Sequence, residues 1–403
     1  MKKNSSTKIA LAVSMFVLLI FIGLAWSQNQ LFENDFRQLP YASDRILVKF
    51  KPLTQESTKD FLHQWHGGRV IDAVPGIDVH VVQIPEQKVR EKLRAYLREP
   101  CVEYAEPDYI AHAFFDPNDP GFEKQWGFGQ IQAPQAWEST TGLAGVKVAI
   151  CDTGIDQNHE DLIGKILANK NFTSSRSVDD KFGHGTHVAG IAAAVTNNGL
   201  GVAGVGFNSS LMNVKVLGDN GSGYYSWVAK GIAWAADNGA KVINLSLGGP
   251  AGSGTLQNAI NYAWNKGCVV VAAAGNEGSG SPSYPAFYDN CIAVAATDPS
   301  DRKASFSNHG FWVDVAAPGV DIYSTLPNHK NQIGPRNYGT LSGTSMAAPL
   351  VAGVAALVWA TNYGTGNSAV RARIEDQADP TPTGTIWSQY GIERLNAFGA
   401  VSE

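Results

Sequence analysis

Charge is scarce in this 403-residue sequence. Asp, Glu, Lys and Arg make up 17 % of it, the net charge is −5, and no run of lysine and arginine occurs. That excludes a nucleic-acid surface, which needs a basic stripe. Beyond residue 26 no apolar stretch is long enough to cross a bilayer, so the body of the chain is read as soluble. Internal repeats and low-complexity tracts are also absent. Cysteine is limited to four positions, 101, 151, 268 and 291. Cys268 and Cys291 each open a short apolar run (CVVVAAAG and CIAVAATD). If those runs are neighbouring parallel strands, both sulfurs lie at one sheet edge and a bond between them is expected. Cys151, inside another apolar run, reads as a buried free thiol.

The hydrophobic content is 44 %, ample for a sizeable core, and the length allows two or three domains. Forty-two glycines suit a fold with tight turns and exposed backbone, as main-chain recognition of peptides requires. Residues 1–27 carry Lys2, Lys3 and Lys8, then the apolar run Ile9–Trp26, closing on Ala25-Trp26-Ser27. This pattern reads as a removable secretory signal, hence an exported and disulfide-permissive setting, with an uncleaved membrane anchor as the alternative.

The chemistry concentrates on a few local signatures. Leu341–Pro349, LSGTSMAAP, reads as a tight turn entering a buried helix, with Thr344 or Ser345 placed to cap its first amides. A nucleophile there has free N–H groups and a helix dipole beside it. VKVAIC (146–151) reads as a buried parallel strand ending on Asp152, and catalytic groups in open α/β sheets collect at that end. His184, in GHGTHVAG, stands at the start of an alanine-rich helix. A serine needs a base to take its proton, and the base needs a carboxylate to fix its tautomer. Asn276, in AAAGNEG after the strand Val269–Val271, either supports a turn or supplies an oxyanion donor. His187 cannot form a zinc pair with His184, because neither a third ligand nor an i, i+4 spacing is offered; it reads as a structural histidine.

The motifs CDTGID, GHGTHVAG and SGTSMAAP, in that order, resemble the subtilisin-like serine proteases. IAAAVTNNG, DPNDP and QIQAPQAW are most similar to the thermitase-like branch. Upstream, ILVKF, VHVVQIP and YAEPDYIAHA resemble the inhibitory propeptide of the same family. DRILVKF, DVHVVQIP and VEYAEPDYIAHA read there as strands, with helices over Gln55–His66 and Val89–Arg98. The resemblance implies a three-layer α/β/α catalytic domain with a mainly parallel central sheet over 114–403. Before it come a signal over 1–27 and a small α+β prodomain over 28–113 (core 45–113), cut close after Ala113.

It also implies a broad-specificity endopeptidase made as a self-processing zymogen. Asp152, His184 and Ser345 would be its triad, and the Asn276 side chain with the Ser345 amide would hold the oxyanion. Gly221, Ser222 and Gly223 on one side and Ser246, Leu247 and Gly248 on the other would sandwich an extended substrate. Ala273 and Gly275 would complete a roomy, apolar S1 pocket. A structural Ca²⁺ site is implied at Asp119, Asp161, the Asn198 side chain and the carbonyls of Val195, Leu200 and Val202. A second thermitase-type site would lie between Phe172 and Phe182, where NFTSSRSVDDK offers only Asp179 and Asp180 as carboxylates, a departure from the family pattern. The expected partners are peptide substrates and the chain's own propeptide, with no nucleic acid, no membrane once the signal is removed, and a monomeric state; no appended C-terminal domain is expected. A secreted peptide-binding pseudoprotease is the alternative, and an esterase is disfavoured by the missing G-x-S-x-G turn.

Overall fold

The computed structural model describes residues 41–110 and 116–402. The signal expected over 1–27 and the cut expected after Ala113 lie outside these residues. The chain divides into two compact units, Met1–Ala113 and Phe114–Glu403.

In the first unit, β1 (Tyr41–Phe50), α1 (Glu56–Trp65), β2 (Arg69–Val74), β3 (Val79–Gln83), α2 (Val89–Tyr96) and β4 (Val102–Tyr109) follow in order. The strands form an antiparallel sheet in the order β2-β3-β1-β4. β1 buries alternate residues, Ile46, Val48 and Phe50, and these pack with Val82, Leu93 and Tyr96, as a sheet with one covered face requires. β2 is the element the sequence reading missed. All six of its residues are exposed at a sheet edge, so RVIDAV carries none of the alternation by which a half-buried strand is recognised.

The second unit is built on β5 (Lys147–Asp152), β6 (Ile166–Asn171), β7 (Ser210–Lys215), β8 (Val242–Leu245), β9 (Val269–Ala273), β10 (Ile292–Thr297) and β11 (Val315–Pro318). They form one parallel sheet in the order β11-β10-β9-β8-β5-β7-β6. Helices α3 (His184–Ala193), α4 (Tyr225–Asp237), α5 (Gly254–Asn265), α6 (Thr344–Trp359) and α7 (Asn367–Asp376) supply the covering layers. The α/β architecture is the one expected. β7 and β6 lie to one side of β5 and β8 to β11 to the other, so the strand order reverses at β5. A crevice forms beyond the carboxyl ends of the strands at such a switch point, and Asp152 is the last residue of β5. α6 is apolar on every face and buried from Met346 to Val358, as a helix running through a core must be. A hairpin of β12 (Ile322–Leu326) and β13 (Asn337–Leu341) precedes it. Among the described residues no helix is long and apolar enough to cross a membrane.

The expected Cys268–Cys291 bond is not formed: all four cysteines are free. β9 and β10 are parallel neighbours, but Ile292 pairs with Val271, so Cys291 lies level with Val270 and Cys268 two residues back along its strand. That offset is roughly 6–7 Å along the sheet, beyond the reach of a disulfide. The Cys268 thiol instead donates to the Ala240 carbonyl at 3.1 Å.

Candidate active site

A carboxylate at the end of a buried strand needs donors, and Asp152 finds two on one oxygen. Its Oδ1 accepts from the Thr153 amide at 2.7 Å and from His184 Nδ1 at 2.8 Å. That bond places the proton on Nδ1 and leaves Nε2 free as a base. Burial alone would lower the pKa of His184, but the charge and hydrogen bond of Asp152 outweigh it, and His184 stands above the ordinary histidine value. The imidazole keeps about a fifth of its surface, 19 %, facing solvent, while Asp152 keeps 1 %.

The position of His184 is set by Asp180, whose second role the sequence did not suggest. Asp180 is fully buried and accepts from the amides of Gly183 (2.7 Å) and Thr186 (2.9 Å) and the hydroxyls of Thr186 and Thr153. It thus satisfies the open amides of α3 where the dipole favours negative charge. Gly185 lets this helix lie against β5, because a Cβ there would stand 2.2 Å from the Gly154 carbonyl and 3.0 Å from Asp152 Cβ. His187 is structural, as expected. It is fully buried, its Nε2 donates to the Gly339 carbonyl at 3.1 Å, and burial pushes its pKa down to about 3.

Ser345 occupies the first turn of α6, but neither hydroxyl there acts as the expected cap. The Thr344 amide and hydroxyl both turn to Asn276 Oδ1, at 2.9 and 3.0 Å. This occupies the oxygen of Asn276 and leaves its NH₂ group as a free donor on the wall it shares with Ser345. The Ser345 hydroxyl donates to the Ser246 carbonyl at 3.2 Å rather than to His184. Such a catalytic bond often tightens only when substrate binds. Pro349, four residues on, has no N–H to give the Ser345 carbonyl, and the Ser246 hydroxyl takes that place at 2.8 Å, itself held by Asn244 Nδ2 at 2.9 Å.

Two cavities meet along Leu247 and Gly248. One, of about 350 Å³, is lined by His184, Gly221, Ser222, Gly223 and Ser246, with Tyr225 among the residues not foreseen. The other, of about 490 Å³, is lined by Ala273, Gly275, Asn276 and Ser345. The second is less apolar than its small walls suggest. Glu277 lies on it, accepting from Asn308 Nδ2 at 2.8 Å, and was legible only as the residue after Asn276.

The residues implied for calcium gather in one place. Asp161 is fully buried and Asp119 nearly so, and among the described residues neither is paired with a lysine or arginine. Burial pushes the Asp161 carboxyl pKa up; Val202 N–H and Asn198 Nδ2 donate to it at 2.7 and 2.9 Å. The amides of Asn197 and Asn198 donate to Asp119 at 2.7 and 3.0 Å. The carbonyls of Val195, Leu200 and Val202 accept no hydrogen bond among the described residues. Two buried carboxylates beside unengaged carbonyls fit a hard cation. Asn198 differs from expectation in that its nitrogen, not its oxygen, faces Asp161. Of the second site, Asp180 is consumed by α3, which leaves Asp179 alone in that segment.

The subtilase family matches residues 144–394, and the fervidolysin N-terminal prodomain matches residues 34–108. Thermitase of Thermoactinomyces vulgaris is 53 % identical over 290 residues, covering 71 % of this chain and 99 % of its own length. A thermophilic serine proteinase of Bacillus sp. (strain AK1) is 43 % identical over 365 residues, covering 90 % of this chain and 88 % of its own. Among solved structures, a protease from Pseudoalteromonas arctica PAMC 21717 superposes with a TM-score of 0.65 at 35 % identity, covering 71 % of this chain and 98 % of that one. The protein is therefore a serine endopeptidase of the subtilase family, a thermitase-like subtilisin preceded by a propeptide.

Proposed function

We propose that this endopeptidase is secreted and made as a self-processing zymogen, with a signal over 1–27, an inhibitory prodomain over 28–113 and a catalytic domain over 114–403. Ser345 attacks the scissile carbonyl, His184 Nε2 takes its proton and returns it to the leaving amine, and Asp152 holds His184 in tautomer and orientation. The oxyanion is held by the Asn276 NH₂ and the Ser345 N–H. The observation carrying this reading is the hydrogen bond between His184 and Asp152 at the carboxyl edge of the sheet, with His184 lining a cavity that adjoins, along Leu247 and Gly248, the one lined by Ser345 and Asn276. Reaction of the protein with a fluorophosphonate, followed by peptide mapping, tests it. A label on Ser345 together with casein hydrolysis supports the reading, and a label on another serine sinks it.

Asn276→Leu keeps the residue's size and removes the donor. The expected result is a fall of about 10²–10³ in kcat with KM little changed. An equal rise in KM would mean that Asn276 merely shapes the pocket.

Gly221–Gly223 and Ser246–Gly248 flank an extended substrate and bind it through main-chain hydrogen bonds. We propose broad cleavage after large apolar and aromatic residues, with Glu277 admitting lysine as well. A library profile restricted to lysine and arginine at P1 would contradict this.

Ca²⁺ held by Asp119, Asp161 and the carbonyls of Val195, Leu200 and Val202, with Asn198 beside them, would neutralise the two buried carboxylates and fix the 195–202 loop. Chelation is expected to lower the unfolding temperature of the inactive Ser345→Ala chain, by the equivalent of about 2.7 kcal/mol relative to calcium at a hundred times its Kd. Asp161→Asn should abolish the difference, and identical melting with and without calcium in the Ser345→Ala chain would refute the site.

A further inference from the structure

A second group of metal-ligating side chains lies outside the calcium loop and the catalytic residues. Asp156, Asp179 and His329 each offer one ligand atom within 4.8 Å of the other two. They come from three separate segments. Asp156 lies in the turn after β5, which carries Asp152; Asp179 lies in the segment leading to His184; His329 lies in the long loop joining β12 to β13. That loop is already tied to the other two: the Asn328 amide donates to Asp156 Oδ2 at 2.8 Å, and the Gln332 amide to the Phe182 carbonyl at 2.9 Å.

The hydrogen bonds of His329 define its chemistry. Its Nδ1 lies 3.1 Å from the carbonyl of Lys330, an acceptor only, so Nδ1 carries the proton. In the neutral ring Nε2 is then a bare lone pair. It lies beside the Asp179 carboxylate, 3.1 Å from Oδ2, but is not aligned to make a hydrogen bond with it. Lone pair against carboxylate is repulsive unless something positive sits between them, either a second proton on the ring or a metal ion. Asp179 Oδ1 is likewise buried without a partner, while Lys181 takes Oδ2 from the solvent side at 2.5 Å. Asp156 is fully buried, with the amides of Asn158 and Asn328 on its two oxygens. A histidine whose far nitrogen is pinned to a backbone carbonyl is the usual presentation of a ligating imidazole. Two carboxylate oxygens and one imidazole nitrogen suit a borderline divalent ion such as Zn²⁺ or Co²⁺ and not Ca²⁺, which takes oxygens.

We propose that Asp156, Asp179 and His329 form a transition-metal site that cross-links the β12–β13 loop to the two segments carrying Asp152 and His184. The site leaves at least one position for water and contributes no group to peptide hydrolysis; it fixes the loops around the triad.

The test uses the full chain bearing Ser345→Ala, so that it survives the titration, in excess Ca²⁺ to saturate oxygen-only sites. Co²⁺ is added while its visible ligand-field absorbance and the unfolding temperature are followed. The expected result is one equivalent bound with a visible band, displaced by Zn²⁺, with a raised unfolding temperature. His329→Ala, in an exposed loop, and Asp179→Asn should each weaken binding by at least about tenfold. A Co²⁺ titration without a band overturns the proposal, and so does a band that survives His329→Ala, which would place the ion on other histidines. An NMR titration showing His329 simply protonated in the presence of equimolar Zn²⁺ would leave an ordinary ion pair with Asp179 and overturn it as well.

Discussion

Ser345→Ala is expected to leave the full-length chain at its precursor mass while the wild type loses a fragment of prodomain size. Hydrolysis of a peptide anilide should fall by about 10⁶ in kcat. The size of the effect follows from the geometry. Ser345 is the only hydroxyl at the start of α6 facing the cavity without being tied to Asn276, whereas Thr344 is spent on that asparagine. Its removal leaves the oxyanion donors and the cleft intact, so the residual rate should reflect those alone, and substrate binding should be nearly unchanged. Intact mass over time, for both chains refolded with calcium, reads the outcome and fixes the processing bond. If the Ser345→Ala chain is cut at the same rate and place as the wild type, in the absence of other proteases, Ser345 is not the nucleophile.

Asp152→Asn should preserve the shape of the site and lower kcat by about 10⁴. The amide NH₂ of asparagine would face His184 Nδ1, so the imidazole would turn to the tautomer whose proton lies on Nε2, the wrong one for a base. A second readout has a definite sign. His184 must be neutral to act, so kcat/KM rises as pH passes upward through its pKa. In the wild type the Asp152 charge holds that pKa above the ordinary value against burial, placing the acidic limb above about pH 6.5. Without the charge, burial is opposed only by the smaller pull of Asp180, and the limb moves to lower pH. A rate loss with the limb unmoved would show that Asp152 supports the loop rather than the imidazole.

Both predictions rest on residues that could be named from the linear chain. Asp152, His184 and Ser345 sit where hydropathy changes abruptly, at the end of a buried strand or the start of an apolar helix. Such boundaries are local features: VKVAIC ends on Asp152 in the sequence as β5 does in the fold, and α3 begins at His184. Asn276 was legible for the same reason, just past β9. Its polarity was not, because only Thr344 in the folded chain decides which end of the amide faces the cleft.

What the sequence determined alone, then, was the family and its α/β fold, and the strands and helices on which the candidate reactive groups Asp152, His184 and Ser345 lie, all carried by short-range hydropathy and motif. Tertiary structure decided the matters that depend on register and on residues far apart in the chain. The offset of β9 against β10 keeps Cys268 and Cys291 apart. An edge position leaves β2 without any burial pattern. Pro349 frees a carbonyl that Ser246 satisfies from 99 residues away. Asp156, Asp179 and His329 meet only because three loops close over one end of the sheet. No local propensity encodes such meetings, since their energy appears only once the chain has closed the intervening loops.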